Sequence, residues 1–231
     1  MVNTVPEQGL STAELAPLQR LLLAYAPAST RSWHGLCWLL DQRLAAVAQR
    51  GGEPTIAAIR LAWWDAVLVE DDRTKGGGEP LVERWRAIAP GGAGVAAESL
   101  IDGWRMLLSP EPLSATDLRA YGLARGGGLF ALLAGGDEPA GGEALRRAGA
   151  VWALWDLAAH VRDEALARQA LAAARDVVSE AAGKAVPAGS GSKPLRLAHA
   201  VALPDVRAGA LPGAGFSLRH YGRLLRASLL G

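Results

Sequence analysis

The stretch TRSWHGLCWLLDQRLAAVAQR, Thr30 to Arg50, decides the fold class. Its apolar residues Trp33, Leu36, Leu40, Leu44 and Val47 recur every three or four positions, which is the period of one helix face and not the alternation of a strand. Arg50 suits the negative end of a helix dipole, and Gly51-Gly52 supplies the stop. Asp41 lies inside this run among Leu39, Leu40 and Leu44.

The same period extends in both directions. Upstream, Leu15, Leu18, Leu22 and Tyr25 follow Ser11-x-x-Glu14, a capping-box pattern that predicts a helix start. Downstream, Pro54 suits a first helical position, and Thr55–Glu70 keeps Ile56, Ile59, Trp63 and Val67 in one register, with Trp64 widening the face expected to be buried. Further helices are expected over Pro80–Ile88, Val95–Leu108, from the Ser114-x-x-Asp117 cap through Leu118, Tyr121, Leu129 and Leu132, and along Ala144–Ala182 with a bend allowed. Two more are expected near Pro194–Ala202 and Phe216–Leu230, after a flexible loop near 188–192. Gly126-Gly127-Gly128 falls inside a helical pattern, where each glycine costs about 1 kcal/mol relative to alanine. Either a kink or close approach of another helix or a ligand explains it. With no alternating strand pattern and no tandem repeat, the chain reads as one all-α domain over 1–231 of about nine helices.

Composition narrows the function. The 231 residues hold 24 Lys+Arg and 23 Asp+Glu, a formal net charge of +1, so nucleic acid or anionic lipid could be gathered only by a local patch. A single Cys, Cys37, cannot form an intrachain disulfide, and no Cys/His pair has zinc spacing. The opening MVNTVPEQG lacks the order of a signal peptide, and charges interrupt every apolar run before it could span a bilayer. A cytoplasmic protein, with peripheral membrane contact left open, is the expectation. Eight Trp beside abundant Ala and 28 Gly point to closely packed helices, or to codon bias for the small residues.

Common catalytic signatures are missing. No G-x-S-x-G elbow, Walker loop, H-E-x-x-H or dinucleotide fingerprint occurs, and His34, His160, His199 and His220 are scattered. Acids within helices carry more information, because all-α proteins hold Mg²⁺ through carboxylates on facing helices. Asp156, His160 and Asp163 stand at i, i+4 and i+7, one face of one helix, fit either for a metal or polar site or for a solvated surface. Asp65 and Asp102 are also helical, with surface explanations.

The order of segments resembles the squalene and phytoene synthase family, the head-to-head trans-isoprenyl diphosphate synthases, over nearly the whole chain. YAPASTRSWHGLCWLLDQRLA (Tyr25–Ala45) is similar to the family's Arg-led helix with its first aspartate-rich motif. IRLAWWDAVL (Ile59–Leu68) resembles the Trp-bearing segment that follows. LIDGWRMLLSPEPLSATDLRAYGLARGGGLFALLAG (Leu100–Gly135) resembles the Asp-Gly helix and the Tyr-led, small-residue helix lining the cavity, and VWALWDLAAHVRDEALA (Val151–Ala167) the helix of the second motif. The resemblance implies an isoprenoid-synthase-type helical bundle in which paired carboxylates on two helices hold Mg²⁺ ions that help a prenyl diphosphate ionise.

Carried over residue by residue, it implies Asp41 and Asp163 as metal ligands and Tyr121 as a cavity residue, with Arg31 and Arg162 near the diphosphate. It also marks losses. Gln42 and Ala45 stand where further acids of the first motif belong, Ala167 replaces the i+4 partner of Asp163, and Trp38 replaces an Arg. Glu164 and Asp156 compensate only in part, since Glu164 lies about 100° round the helix from Asp163. The leading expectation is a pseudoenzyme, a non-catalytic binding or assembly protein like the complex I assembly factors that share this domain. Its ligand would be a prenyl diphosphate, another isoprenoid or a protein partner, with no nucleic acid. The alternatives are an active Mg²⁺-dependent prenyltransferase and a generic helical adaptor.

Overall fold

The computed structural model describes residues 12–49, 53–136, 142–180, 193–213 and 215–230. The fold is all-helical. After a 3-10 turn at Thr12–Glu14 come α1 (Pro17–Ala24), α2 (Arg31–Gln49), α3 (Pro54–Leu68), α4 (Pro80–Ile88), α5 (Ala93–Met106) and α6 (Ala115–Tyr121). A π turn at Gly122–Gly126 leads without a break into α7 (Gly127–Leu133), followed by α8 (Gly142–His160), α9 (Glu164–Glu180), α10 (Lys193–Ala208) and α11 (Leu218–Leu230). No strand occurs among the described residues. The Gly51-Gly52 stop and the loop at 188–192 lie outside them.

Two boundaries differ from expectation for local reasons. The first α-helix begins at Pro17, because proline fixes the φ of a first helical position and donates no N–H that would be missed there, and the Ser11 cap lies outside the described residues. The long segment from 144 splits at 161–163 into α8 and α9. Asp163 starts the second of these as a cap, its Oδ1 accepting from the Ala165 N–H at 2.8 Å and the Leu166 N–H at 3.3 Å. The Ser114–Asp117 capping box on α6 forms as expected, with the two side chains satisfying each other's backbone N–H.

The α2 stripe buries Trp33, Leu36, Leu40 and Leu44. α3 keeps part of its expected face, with Trp64 and Val67 buried, but Leu61 goes inward in place of Ile56 and Ile59, which are exposed, Ile59 by 65%. The helix is apolar on nearly every side, so periodicity alone could not say which side packs.

Three helices meet backbone to backbone at the centre. A Cβ on Gly126 would lie 2.0 Å from the Gly149 carbonyl oxygen, and one on Gly149 would lie 2.1 Å from that of Gly126. On the other side, a Cβ on Gly103 of α5 would fall 2.4 Å from the Arg125 nitrogen, and one on Gly128 would fall 2.6 Å from the Leu100 nitrogen. The Gly-rich run is therefore a close-approach surface, with α5 and α8 pressed on the π turn from two sides. Ser99 on α5 donates its hydroxyl to the Ala124 carbonyl at 3.1 Å, satisfying a group that the π turn presents outward.

His34 is fully buried on α2, and burial lowers its pKa to about 4. A histidine depressed below its unfolded value near 6.5 binds its proton more readily in the unfolded chain. Stability is therefore full above about pH 6.5 and falls as the pH drops towards 4, by at most about 3 kcal/mol from this group. Urea titrations at neutral and acid pH are expected to show that loss, and His34→Leu to make the dependence between pH 6.5 and 4 shallower.

Candidate functional site

The site is built around Arg125, the fourth residue of the π turn and only 2% exposed. Its guanidinium reaches three elements. Nε donates to Asp41 Oδ1 at 3.1 Å and Nη2 to Asp41 Oδ2 at 2.8 Å, the two-point pairing that a planar fork makes with a carboxylate. Nη2 also donates to Asp156 Oδ2 on α8 at 2.7 Å, and Nη1 to the Tyr121 hydroxyl at 2.8 Å. The guanidinium carbon lies 4.0 Å from the centre of the Trp104 ring and 5.0 Å from that of Trp152, and Trp104 Nε1 donates to Asp41 Oδ1 at 2.8 Å.

This is a cation held by two carboxylates from facing helices, a phenol and two indoles. Burial works against the charge of Arg125, but the Asp41, Tyr121 and Asp156 groups outweigh it and hold the pKa well above the ordinary value. The guanidinium is fixed as a cation. Burial likewise pushes the Tyr121 phenol up, so it stays neutral. One cation against two carboxylates leaves the cluster with a net negative charge.

Beside it opens a cavity of about 340 Å³. Asp41, Arg125 and Trp104 form one wall, Trp155, Asp156 and His160 of α8 another, and Pro17, Ala45 and Phe216 close the rest. Gln42 anchors the entry to α1 over it: its Oε1 accepts from the Ala16 N–H at 2.8 Å and its Nε2 donates to the Glu14 carbonyl at 3.1 Å. The far side is fixed by a second buried cluster. Arg223 of α11 pairs with Asp205 of α10 at 2.6 and 2.7 Å, and Trp155 Nε1 donates to the same carboxylate at 3.0 Å. Burial pushes Asp205 up, yet the hydrogen bonds from Arg223 and Trp155 hold its pKa below the usual range.

The expected site residues divide sharply. Asp41 and Tyr121 come together, joined through Arg125, and Ala45 lines the cavity. Asp163 is exposed and spent on capping α9, while Ala167 is buried on α9 away from the cavity lining. Arg162 is exposed in the α8–α9 connection, and exposed Arg31 donates to the Ala26 carbonyl at 3.0 Å at the start of α2. The acid that the fold sets opposite Asp41 is Asp156. Its i+4 neighbour His160 donates from Nδ1 to the Asp156 carbonyl at 2.8 Å and lines the cavity. Arg125 escaped the sequence reading although it left a signal: no other charged residue occurs between Arg119 and Asp137, and a lone charge in an apolar helix predicts a buried partner.

These donors do not suit an Mg²⁺ cluster. Such ions need anionic oxygens free to replace their waters, whereas both Asp41 oxygens and Asp156 Oδ2 already accept from Arg125 or Trp104. No group of three or more His, Cys, Asp or Glu with metal-binding geometry occurs among the described residues. No protein-family model, curated protein or solved structure matches the chain.

Proposed function

We propose that the chain is a non-catalytic binding protein built on a squalene/phytoene-synthase-like bundle, in which an internal arginine replaces the metal ions that the resemblance implies. The observation supporting this reading is the double engagement of Arg125 by Asp41 and Asp156. A fixed guanidinium bridges the carboxylates of the two facing helices without a metal. It offers no exchangeable coordination position to a leaving diphosphate.

The cavity chemistry suggests the ligand. Trp104, Trp155, Phe216, Pro17 and Ala45 offer apolar surface, while the lining polar groups that are not buried are half-buried Asp156 and Gln42 and exposed His160. Beside a net negative cluster a diphosphate is repelled, and an uncharged prenyl alcohol or similar apolar molecule is favoured. The protein is expected to bind farnesol more tightly than farnesyl diphosphate, with or without Mg²⁺, and to release no diphosphate from farnesyl or geranylgeranyl diphosphate. Isothermal titration and a diphosphate-release assay check both statements. Mg²⁺-dependent release that disappears in folded Asp41→Asn protein would overturn the proposal in favour of a prenyltransferase, and absence of binding to either compound would favour a helical adaptor.

A further inference from the structure

The last helix has two unlike faces. His220 and Leu224 are buried, and Arg223 turns inward to Asp205. On the opposite side Leu218, Tyr221, Leu225 and Leu229 form one stripe at helical spacing, all exposed, Leu218 by 90% and Leu229 by 83%. At 100° per residue these four fall within about 80° of arc, with Arg219 and Arg226 alongside on one flank. Both arginines are exposed, and α11 contains no acidic residue.

The chain segment that holds it has the same sign. From residue 193 onward the chain carries six Lys/Arg against one Asp, within a protein whose formal net charge is only +1. That one acid, Asp205, is buried and paired with Arg223. Lys193 of α10 reaches the carbonyl of Ser228 at 3.3 Å, placing a further cation near the end of α11. The charge balance of the whole chain hides this local field.

An apolar stripe of large side chains flanked by arginines, with the acids removed, is the pattern of a helix that lies in a membrane interface. We propose that α11 docks the protein on an anionic lipid surface, with Leu218, Tyr221, Leu225 and Leu229 entering the acyl boundary and Arg219 and Arg226 meeting headgroup phosphates. The stripe favours lipid over nucleic acid, because a duplex or single strand gives four adjacent aliphatic and aromatic side chains no comparable apolar phase. No helix among the described residues is long and apolar enough to cross a membrane, so this contact is peripheral. It is independent of what the cavity binds.

Flotation of the full chain with vesicles of phosphatidylcholine alone, or mixed with an equal amount of phosphatidylglycerol, tests this. Binding is expected to the mixed vesicles and to be weakened by salt. Arg219→Gln/Arg226→Gln should lower the partition coefficient roughly 30-fold, and Leu218→Ser/Leu229→Ser should abolish it. Both pairs are exposed, so circular dichroism and thermal melting should match the parent. Failure of the parent to bind mixed vesicles overturns the proposal, as does unchanged binding in both folded double variants. A dimer dissociated by the leucine substitutions without vesicle binding would assign the face to self-association. Equal charge dependence on DNA without vesicle binding would assign it to nucleic acid, and either result rejects a lipid surface.

Discussion

Arg125→Ala is expected to remove about 3–5 kcal/mol of folding stability, because it leaves Asp41 and Asp156 facing each other without their shared cation. Asp41 is buried and Asp156 only partly exposed, so water replaces the guanidinium poorly. Arg125→Lys should recover only part of the loss. An ammonium keeps the charge but cannot donate at once to Asp41, Asp156 and the Tyr121 hydroxyl in fork geometry, nor lie flat on Trp104. Combining Arg125→Met with Asp41→Asn and Asp156→Asn removes cation and anions together and should lose much less than Arg125→Ala alone. Chemical denaturation of the series checks this order. Equal stability of Arg125→Ala and the parent would mean that water or a counter-ion reaches the cluster, and the picture of a built-in cation would fail.

The second large effect is steric. Gly126→Ala should cost about 3 kcal/mol or more, since its Cβ would meet the Gly149 carbonyl carbon at 2.3 Å as well as the oxygen. Both partners of that contact are backbone, held by the π turn and α8, so no rotamer change relieves it. Gly149→Ala should be as damaging for the reciprocal reason. Gly222→Ala is the contrast: nothing lies within 4 Å of its Cβ position on α11, and the change should raise stability by roughly 0.5–1 kcal/mol through helix propensity. Thermal melts of the three variants separate packing from propensity. A well-folded, parent-like Gly126→Ala protein would show that the contact between the π turn and α8 is looser than its distances require.

Much of the fold was legible because helix-forming signals are local. The α2 stripe, the Pro80–Ile88 bounds and the Ser114–Asp117 cap follow from spacing and end chemistry within a few residues. The same local reasoning misplaced Ile56 and Ile59 on the buried face of α3, where apolar residues surround the helix and only neighbouring elements choose a side. It also ran through 161–163, because nothing in the apolar period there announces that Asp163 will cap a new helix.

The candidate site was half legible. Asp41 stood out as an acid in an apolar helix and Tyr121 only through the family resemblance, whereas Asp156 was indistinguishable from a solvated acid until α2 lay opposite it. Periodicity and composition established that the chain is helical, that Asp41 lies in an apolar run and that glycines crowd the segment before residue 129. Only the tertiary structure decided that the partner of Asp41 is an arginine 84 residues away, that the glycines admit α5 and α8 to the same π turn, and that α11 leaves an apolar stripe uncovered. The physical reason is range: period and caps are set by neighbours along the chain, whereas the partner of a buried charge is set by whichever helix the core brings within hydrogen-bond distance.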